Sequence, residues 1–157
     1  MMFENISVKE PLPLVVLKKV LLLVAITFLC IGLISAHRAY FQVRSLELDV
    51  PAAILHSGSN IRTAVVSSGR TYVDLKLELI QNEHTETIGT QRVPSNEYGF
   101  FDPRTQQATL NVTLTPDLLA RFQPGPAHLR ATASGHPQWT RTPPPVIREQ
   151  TVEIKAE

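Results

Sequence analysis

The side chains in this sequence that could do chemistry are five histidines, a few neighbouring carboxylates and one cysteine. Two histidines four residues apart on a helix, or a histidine close to cysteines, would indicate a zinc site. Here the histidines fall one to a segment, with no pair four residues apart and no nearby cysteine; they are His37, His56, His84, His128 and His136. The sequence therefore predicts no metal site, and we expect His128 on the outer face of a strand.

A pair of carboxylates can act as general acid and general base when an apolar pocket raises the pKa of one of them. Glu83 and Glu86 are close enough in sequence to form such a pair, but they flank a predicted turn on a polar strand. The sequence also lacks a Gly-x-Ser-x-Gly turn and a glycine-rich phosphate loop. We therefore expect no catalytic residue, no cofactor and no enzymatic activity.

One stretch, Gly135–Val146, has the composition of a recognition loop. Trp139 lies between Gln138 and Arg141, and tryptophan with arginine is frequent among the anchor residues of protein interfaces. Pro143–Pro145 favour a polyproline II conformation that would keep the loop extended. This interpretation predicts a protein partner. The alternative is that Trp139 packs back over an open end of the core, while the prolines only prevent pairing at a sheet edge.

A second aromatic cluster, formed by Tyr98, Phe100 and Phe101, falls in a loop predicted for residues 94–104. One phenylalanine is expected to pack inward, and an exposed one beside Trp139 would create an apolar patch. Tyr98, Phe101 and Trp139 could also stack on sugar rings. A carbohydrate-binding or adhesion domain is therefore the alternative to a protein-binding module.

An apolar segment, Val20–Ala36, precedes these motifs. It has roughly seventeen residues without a charge, with Lys18 and Lys19 before it and Arg38 after it, which predicts a transmembrane helix. The residues assigned to this anchor are Val20, Leu23, Phe28, Ile31 and Ile34. A signal peptide cleaved after Ala36 is the alternative, but apolar regions of signal peptides are usually shorter, about 7 to 15 residues. We therefore predict an uncleaved signal anchor.

The orientation of the anchor follows from the charges on its two sides. Lys9, Lys18 and Lys19 precede the span, whereas Arg38 and Arg44 follow it. The positive-inside rule therefore favours a cytoplasmic amino terminus by one charge, and the opposite topology stays open. The predicted organisation is a cytoplasmic tail at 1–19, the anchor at 20–36, a linker at 37–44 and a periplasmic or extracellular domain at 45–157.

The part of the chain after Ala36 contains equal numbers of basic and acidic side chains. A neutral domain without a basic stripe gives no electrostatic reason to bind nucleic acid or anionic lipid, so neither partner is expected. Cys30 lies inside the anchor, and the domain therefore has no disulfide. Its stability must come from packing and from sheet hydrogen bonds.

Alternation of apolar and polar residues predicts a β domain, and the clearest strand is Thr71–Gln81. Thr85–Val93 is polar and is expected at a sheet edge. Thr115, Pro116 and Asp117 supply the start of a short helix. The predicted strands, in order, are Ser45–Val50, Ile61–Val65, Thr71–Gln81, Thr85–Val93, 108–114, 127–133 and one that contains Val152 and Ile154.

Seven short strands separated by turn signals, with a helical crossover before the penultimate strand, resemble an immunoglobulin-like or fibronectin type III-like sandwich. The resemblance is at the level of the fold and covers roughly Ser45–Glu157, without the cysteine pair or the third-strand tryptophan of antibody domains. It implies an all-β, seven-stranded antiparallel sandwich behind one transmembrane helix. We expect a non-catalytic protein-binding or assembly module of a cell-envelope complex. A spacer or regulatory subunit of a separate envelope enzyme is a further alternative.

Overall fold

The computed structural model describes residues 12–40, 42–95, 104–137 and 141–155. The chain divides into two compact units, Met1–His37 and Arg38–Glu157. A helix, α1 (Leu12–Tyr40), accounts for the described part of the first unit. Strands form most of the second.

Within α1, the stretch Leu14–Ala36 is long and apolar enough to span a membrane, with 23 residues, a mean hydropathy of 2.6 and no residue buried. At 1.5 Å per residue it measures about 35 Å, which exceeds the roughly 30 Å hydrocarbon core of a bilayer. The stretch begins six residues before the predicted Val20, because the helix continues through Lys18 and Lys19, whose aliphatic stems can lie along an apolar surface. The five residues assigned to the anchor are all exposed.

The described part of the second unit contains eight strands, so the predicted count of seven was wrong. The missed strand, β2, has two residues, too few to show any alternation. The strands are β1 (Val43–Asp49), β2 (Ile54–Leu55), β3 (Asn60–Ser68), β4 (Thr71–Gln81), β5 (His84–Val93), β6 (Thr105–Thr113), β7 (Gly125–Pro137) and β8 (Val146–Ile154).

The strands form two sheets. The first has three strands in the order β1-β3-β6, and the second has five in the order β2-β8-β7-β4-β5. The pairs are antiparallel except β2 with β8, where Leu55 lies opposite Ile154 in parallel register. As predicted, β5 lies at a sheet edge.

The core lies between the inward faces of the two sheets. In β4 every second residue is buried, from Thr71 to Gln81, because side chains alternate between the faces of a strand. The fully buried side chains include Leu75, Leu77 and Leu79 from β4, Leu129 from β7 and Ile61 from β3. Burying each such leucine stabilises the fold by roughly 1.5–3 kcal/mol.

The helical crossover, α2 (Pro116–Leu119), is built as its sequence predicts. The Thr115 hydroxyl accepts a hydrogen bond from the amide of Leu118, 3.3 Å away, and Pro116 occupies the first turn. Gln81 holds the segment that follows: its side-chain oxygen accepts from the amide of Gln123 at 2.8 Å, and its side-chain nitrogen donates to the carbonyl of Gln123 at 2.7 Å. The end of β4 thereby fixes the entry to β7.

Strand register determines which connections share an end of the sandwich. Val43, the first residue of β1, pairs with Ser67 near the end of β3. At the same end β4 begins at Thr71 opposite Pro137, the last residue of β7, and Val73 pairs with Val93, the last residue of β5. We call this end, where β1 begins, the proximal end. The other end, which carries α2 and β2, is the distal end.

Candidate functional site

Of the five residues predicted to bind a partner, Arg141 lies in the described part of the chain. It is exposed, in the irregular segment that leads into β8. Gln138, Trp139, Tyr98 and Phe101 lie outside the described residues, as does Phe100. The described residues on either side of them fix where the two connections begin and end.

Both predicted binding connections begin at the proximal end. The β5–β6 connection follows Val93, and its last residue, Arg104, accepts a hydrogen bond at its carbonyl from the amide of Gly69, 3.1 Å away. Gly69 belongs to the turn between β3 and β4. The β7–β8 connection follows Pro137, which pairs with Thr71 directly after that turn. Two stretches that lie about forty residues apart in sequence therefore start from β5 and β7, the two strands that flank β4.

Four side chains meet on the outer face of the five-stranded sheet, next to the starts of these connections. We call them the outer-face cluster: Tyr72, Asp74, Arg92 and His136. The rings of Tyr72 and His136 are stacked, with centroids 4.6 Å apart and planes inclined by 12°. Arg92 lies over the Tyr72 ring at 5.5 Å from its centroid. Because β4 lies between β7 and β5, His136 and Arg92 reach Tyr72 from its two neighbouring strands.

Asp74 joins the cluster through two partners. Arg92 donates Nε to Oδ1 of Asp74 at 2.7 Å and a second guanidinium nitrogen to Oδ2 at 3.1 Å, a two-point contact. Nε2 of His136 lies 3.4 Å from Oδ2 of the same carboxylate. The hydrogen bond from Arg92 lowers the pKa of Asp74 below its ordinary value, against an opposing effect of burial, and the pKa of Arg92 is raised in turn.

A buried polar group supports the proximal end from inside. The Ser68 and Thr71 hydroxyls lie 3.1 Å apart, and the Gln106 side-chain amide donates to the Thr71 carbonyl at 2.7 Å and to the Ser67 hydroxyl at 3.2 Å. Ser67 and Thr71 are completely buried. These bonds link β3, β4 and β6 around the turn, which gives the connections a fixed base.

The outer-face cluster presents charged and aromatic groups on a sheet face. Its charges neutralise each other, and both neighbours of Tyr72 already contact its ring, so a sugar ring gains little free stacking surface there. Across residues 12–40, 42–95, 104–137 and 141–155, no group of three His, Cys, Asp or Glu side chains is arranged to hold a metal ion. The cluster does offer a guanidinium, an imidazole and a phenol edge beside two connections, a composition suited to a polar protein surface.

The candidate acid–base pair is not brought together as a pair. Glu86 binds Arg121 at 2.7 Å and lies 3.9 Å from His84, whereas Glu83 is exposed in the β4–β5 turn. His128 is exposed on its strand, as predicted, and its Nδ1 lies 3.4 Å from the Thr151 hydroxyl. These contacts are surface interactions along sheet strands.

Sequence reasoning missed the outer-face cluster. The alternation in β4 already indicated that Asp74 points outward, and Tyr72 shares its face. What it could not supply was the register that sets Tyr72 opposite His136 and Asp74 opposite Arg92. Cross-strand pairs depend on the sheet order, and β4 and β7 are separated by two other strands along the chain.

Two open depressions lie elsewhere on the sandwich. One, of about 300 Å³, follows the seam between β1 and β8, where Nε of Arg148 donates to the Leu46 carbonyl at 3.3 Å. The other, of about 260 Å³, lies beside α2 and is lined by Leu119, Phe122 and Ile154 among others. Arg148 bridges the first depression, and the second borders the hydrophobic core. We therefore attribute both depressions to the way in which neighbouring elements pack.

Comparison with known proteins gives weak fold likenesses. No family model and no curated protein matches the sequence. The sporulation control protein Spo0M from Bacillus subtilis aligns with 72% of this chain at 13% identity and a TM-score of 0.40, and the chain spans 49% of its length. A β-glucosidase from Erythrobacter marinus aligns with 73% at 14% identity and 0.36, covering 15% of that enzyme. A protein from Archaeoglobus fulgidus aligns with 74% at 11% identity and 0.36, over its full length. Likenesses of this size assign neither a family nor an activity.

Proposed function

We propose that this chain is a single-pass membrane protein whose β-sandwich acts outside the cytoplasm as a non-catalytic protein-binding or assembly module of a cell-envelope complex. The observation that carries this proposal is the common origin of the two long connections at the proximal end. Residues 94–104 and 138–145 both start there, next to the outer-face cluster, from a base fixed by buried hydrogen bonds. Loops on a rigid sheet end are frequent sites of recognition.

The immunoglobulin-like or fibronectin type III-like character of the sandwich belongs to the same proposal. The strand order supports it: β1-β3-β6 faces β8-β7-β4-β5, and the short β2 leaves the first sheet to pair with β8. Such domains often serve as spacers and adhesive modules, and their loops cluster at the two ends of the sandwich. This likeness concerns architecture, and the partner has to be found by experiment.

Crosslinking in intact cells tests the proposed binding surface. The wild-type chain is compared with a Trp139→Ala and Arg141→Ala double variant, and crosslinked proteins are identified by mass spectrometry. If these side chains anchor the interface, the yield of the specific partner falls about tenfold or more, because the removal of an anchor residue costs 2 kcal/mol or more of binding free energy.

The matched control removes two exposed arginines of the distal end, Arg62→Ala and Arg121→Ala, and should leave the yield unchanged. Equal yields from wild type and the proximal double variant would contradict the proposal for this surface. A glycan-array signal that disappears with Trp139→Ala, in the absence of any protein crosslink, would favour the carbohydrate-binding alternative.

A further inference from the structure

Strand β6 (Thr105–Thr113) is an outer strand of the three-stranded sheet. Among the described strands its one hydrogen-bonded neighbour is β3, and the register runs without a break from Asn60 opposite Thr113 to Ser68 opposite Thr105. An outer strand leaves a row of backbone N–H and C=O groups on its far side, and a second strand can pair with them. β6 therefore offers an edge of nine residues for the addition of a strand.

Backbone hydrogen bonds at the two ends of β6 show which residues point to this edge. The Leu114 amide donates to the Ser59 carbonyl at 2.9 Å, and the Arg104 carbonyl accepts from the Gly69 amide at 3.1 Å. Ser59 and Gly69 flank β3, and the backbone groups of a strand alternate between its two sides. The even-numbered residues of β6 therefore bond towards β3. The residues that direct their N–H and C=O groups to the edge are Thr105, Gln107, Thr109, Asn111 and Thr113.

The other outer strands carry features that oppose pairing, and β6 does not. Charged side chains, bulges and very short strands are common means by which proteins protect sheet edges. β1 has three charged side chains and a shift of register between Val43 and Ser45. β5 has Glu86, Arg92 and a bulge at Ile88, and β2 is two residues long. β6 contains no charged residue, no proline and no break in its register, so none of these means protects its edge.

The inward face of β6 is incompletely covered. Its side chains Ala108, Leu110 and Val112 pack against the hydrophobic core but are half-buried, whereas an inward side chain of β4 such as Leu77 is completely buried. A strand added beside β6 would bring further side chains next to these three and remove apolar surface from water. Pairing at this edge would therefore gain hydrophobic burial as well as backbone hydrogen bonds.

We propose that the edge of β6 pairs with β6 of a second copy of this chain, antiparallel about a two-fold axis at Thr109. Charge favours this occupant, because β6 meets no like charge when it pairs with itself in any register. The two three-stranded sheets then join as one sheet in the order β1-β3-β6-β6-β3-β1, a contact in which both copies use the same surface. The proposal depends neither on the connections at the proximal end nor on a different protein.

The position of the axis follows from the length of the strand. Thr109 is the middle residue of β6, so an axis there pairs all nine residues. Thr105 lies opposite Thr113 and Gln107 lies opposite Asn111, and every N–H and C=O group of the edge has a partner. Hydroxyl and amide side chains face one another on the outer side of the joined sheet, where such pairs stabilise strand pairing.

Disulfide formation at the two-fold axis provides the first test. The full chain is purified in detergent with its one native cysteine replaced, Cys30→Ser, and with Thr109→Cys added. Opposite residues that exchange both hydrogen bonds have Cα atoms about 5.5 Å apart, within the range of about 4.4–6.8 Å that a disulfide spans. Because this distance is met at the axis, mild oxidation should give about fivefold or more disulfide-linked dimer than a control position gives.

Two controls fix the register and exclude contacts made through α1. Thr87→Cys places the thiol at an exposed position of β5, an outer strand of the second sheet, in the same Cys30→Ser chain. Thr105→Cys should not crosslink to itself, because antiparallel pairing separates the two copies of residue 105 by about 27 Å along the strand. Mixed with a Thr113→Cys chain it should crosslink, since these two residues lie opposite each other.

A pair of charge variants tests the pairing without a covalent bond. Gln107→Lys with Asn111→Lys places like charges opposite each other and should weaken self-association about tenfold or more in sedimentation equilibrium in density-matched detergent. Mixing this variant with a Gln107→Glu, Asn111→Glu chain should restore dimers, because each lysine then faces a glutamate. Thr85→Lys with Thr87→Lys makes the same change of charge on β5 and should leave self-association unchanged. Thermal unfolding verifies that each variant is folded.

A Thr109→Cys yield no higher than that of Thr87→Cys, or self-association that the lysines on β6 do not weaken, would overturn the proposal. So would a chain that sediments as a monomer, and so would a Thr109→Cys chain that forms its disulfide with another protein in intact cells, which would assign the edge to a foreign strand. None of these substitutions lies in residues 94–104 or 138–145. Failure here therefore leaves the proposed protein partner untouched, and an absence of that partner leaves the pairing of β6 untouched.

Discussion

At the scale of single residues, the outer face of the five-stranded sheet is organised by pairs of opposite charge on neighbouring strands. Asp74 pairs with Arg92 across β4 and β5, and Arg130 pairs with Glu149 across β7 and β8. Exposed pairs of this kind contribute about 0–1 kcal/mol each. Their main effect is to favour one register and to keep a broad sheet face soluble.

The Asp74–Arg92 pair makes acid stability a test of this arrangement. The folded-state pKa of Asp74 lies below the ordinary value near 3.9. Its stabilisation is therefore complete above that ordinary value and is lost as pH falls through the lowered folded value. Asp74→Asn should lower the melting temperature slightly at neutral pH and make its decline below about pH 4 shallower than in the wild type.

The control for this prediction is Asp49→Asn at an exposed distal position. Melting temperatures measured from about pH 2.5 to 7 in the presence of constant salt compare the three proteins. Identical acid profiles for wild type and Asp74→Asn would show that the pair contributes nothing to folding.

At the scale of elements, the sequence predicted strands where apolar and polar residues alternate. It missed strand residues that other interactions hold in the sheet. β4 has the predicted bounds, Thr71–Gln81, because its alternation is unbroken. β6 begins at Thr105, three residues before the predicted start, because Gln106 occupies an inward position and binds Ser67 and Thr71. A polar residue with buried partners is not recognised by a search for apolar alternation.

The extension of β7 has a different cause. It continues beyond the predicted Ala133 to Pro137, and Gly135 is buried in this part. A side-chain carbon at Gly135 would lie 3.1 Å from Val43 Cγ2 and 3.2 Å from Thr71 Cγ2, so a larger residue would require these side chains of β1 and β4 to shift by a few tenths of an ångström. The contacts with Val43 and Thr71 favour glycine at position 135, and no local sequence pattern predicts these contacts.

Gly89 provides a test of how β5 packs against β6. Leu77 pairs with Gly89 and Glu78 with Thr87, so Ile88 is an additional residue that forms a bulge. A side-chain carbon at Gly89 would lie 2.5 Å from Val112 Cγ2, a branched side chain with little freedom to move. Gly89→Ala should therefore destabilise the sandwich by about 1–3 kcal/mol in urea unfolding of the detergent-solubilised chain.

A double-mutant cycle separates this clash from general effects of alanine. Gly89→Ala with Val112→Ala should cost less than the sum of the single changes by about 0.5 kcal/mol or more. Thr87→Ala, at an exposed position of the same strand, should change stability by less than about 0.5 kcal/mol. Additive costs in the cycle would show that Val112 is not the obstacle.

At the scale of the whole molecule, the topology of the anchor decides which compartment the sandwich occupies. The span includes Lys18 and Lys19 near its start, while Arg38 and Arg44 follow it. With the amino terminus in the cytoplasm, a tag placed after Glu157 should be digested by protease added to intact spheroplasts. A tag before Met1 should be protected until lysis, and a cytoplasmic marker protein reports leakage.

The reverse pattern, with the carboxy-terminal tag protected and the amino-terminal tag digested, would overturn the predicted orientation.

The sequence favours this orientation by only one basic residue, counted between the two sides of the span. The β-rich domain and the long apolar helix could be predicted because both depend on local periodicity and composition. The outer-face cluster could not be predicted, because it joins residues that only the strand order brings together.

The chain enters the sandwich at Val43 and leaves β8 at Ile154, at opposite ends of the strands. Tension applied between α1 and a load attached beyond Lys155 would act along the strand direction. The hydrogen-bond ladders on β1 and β8 would then be sheared as sets, whereas a chain entering and leaving at one end would have its terminal strands peeled bond by bond. This arrangement gives the sandwich a higher resistance to tension than termini at a single end would give.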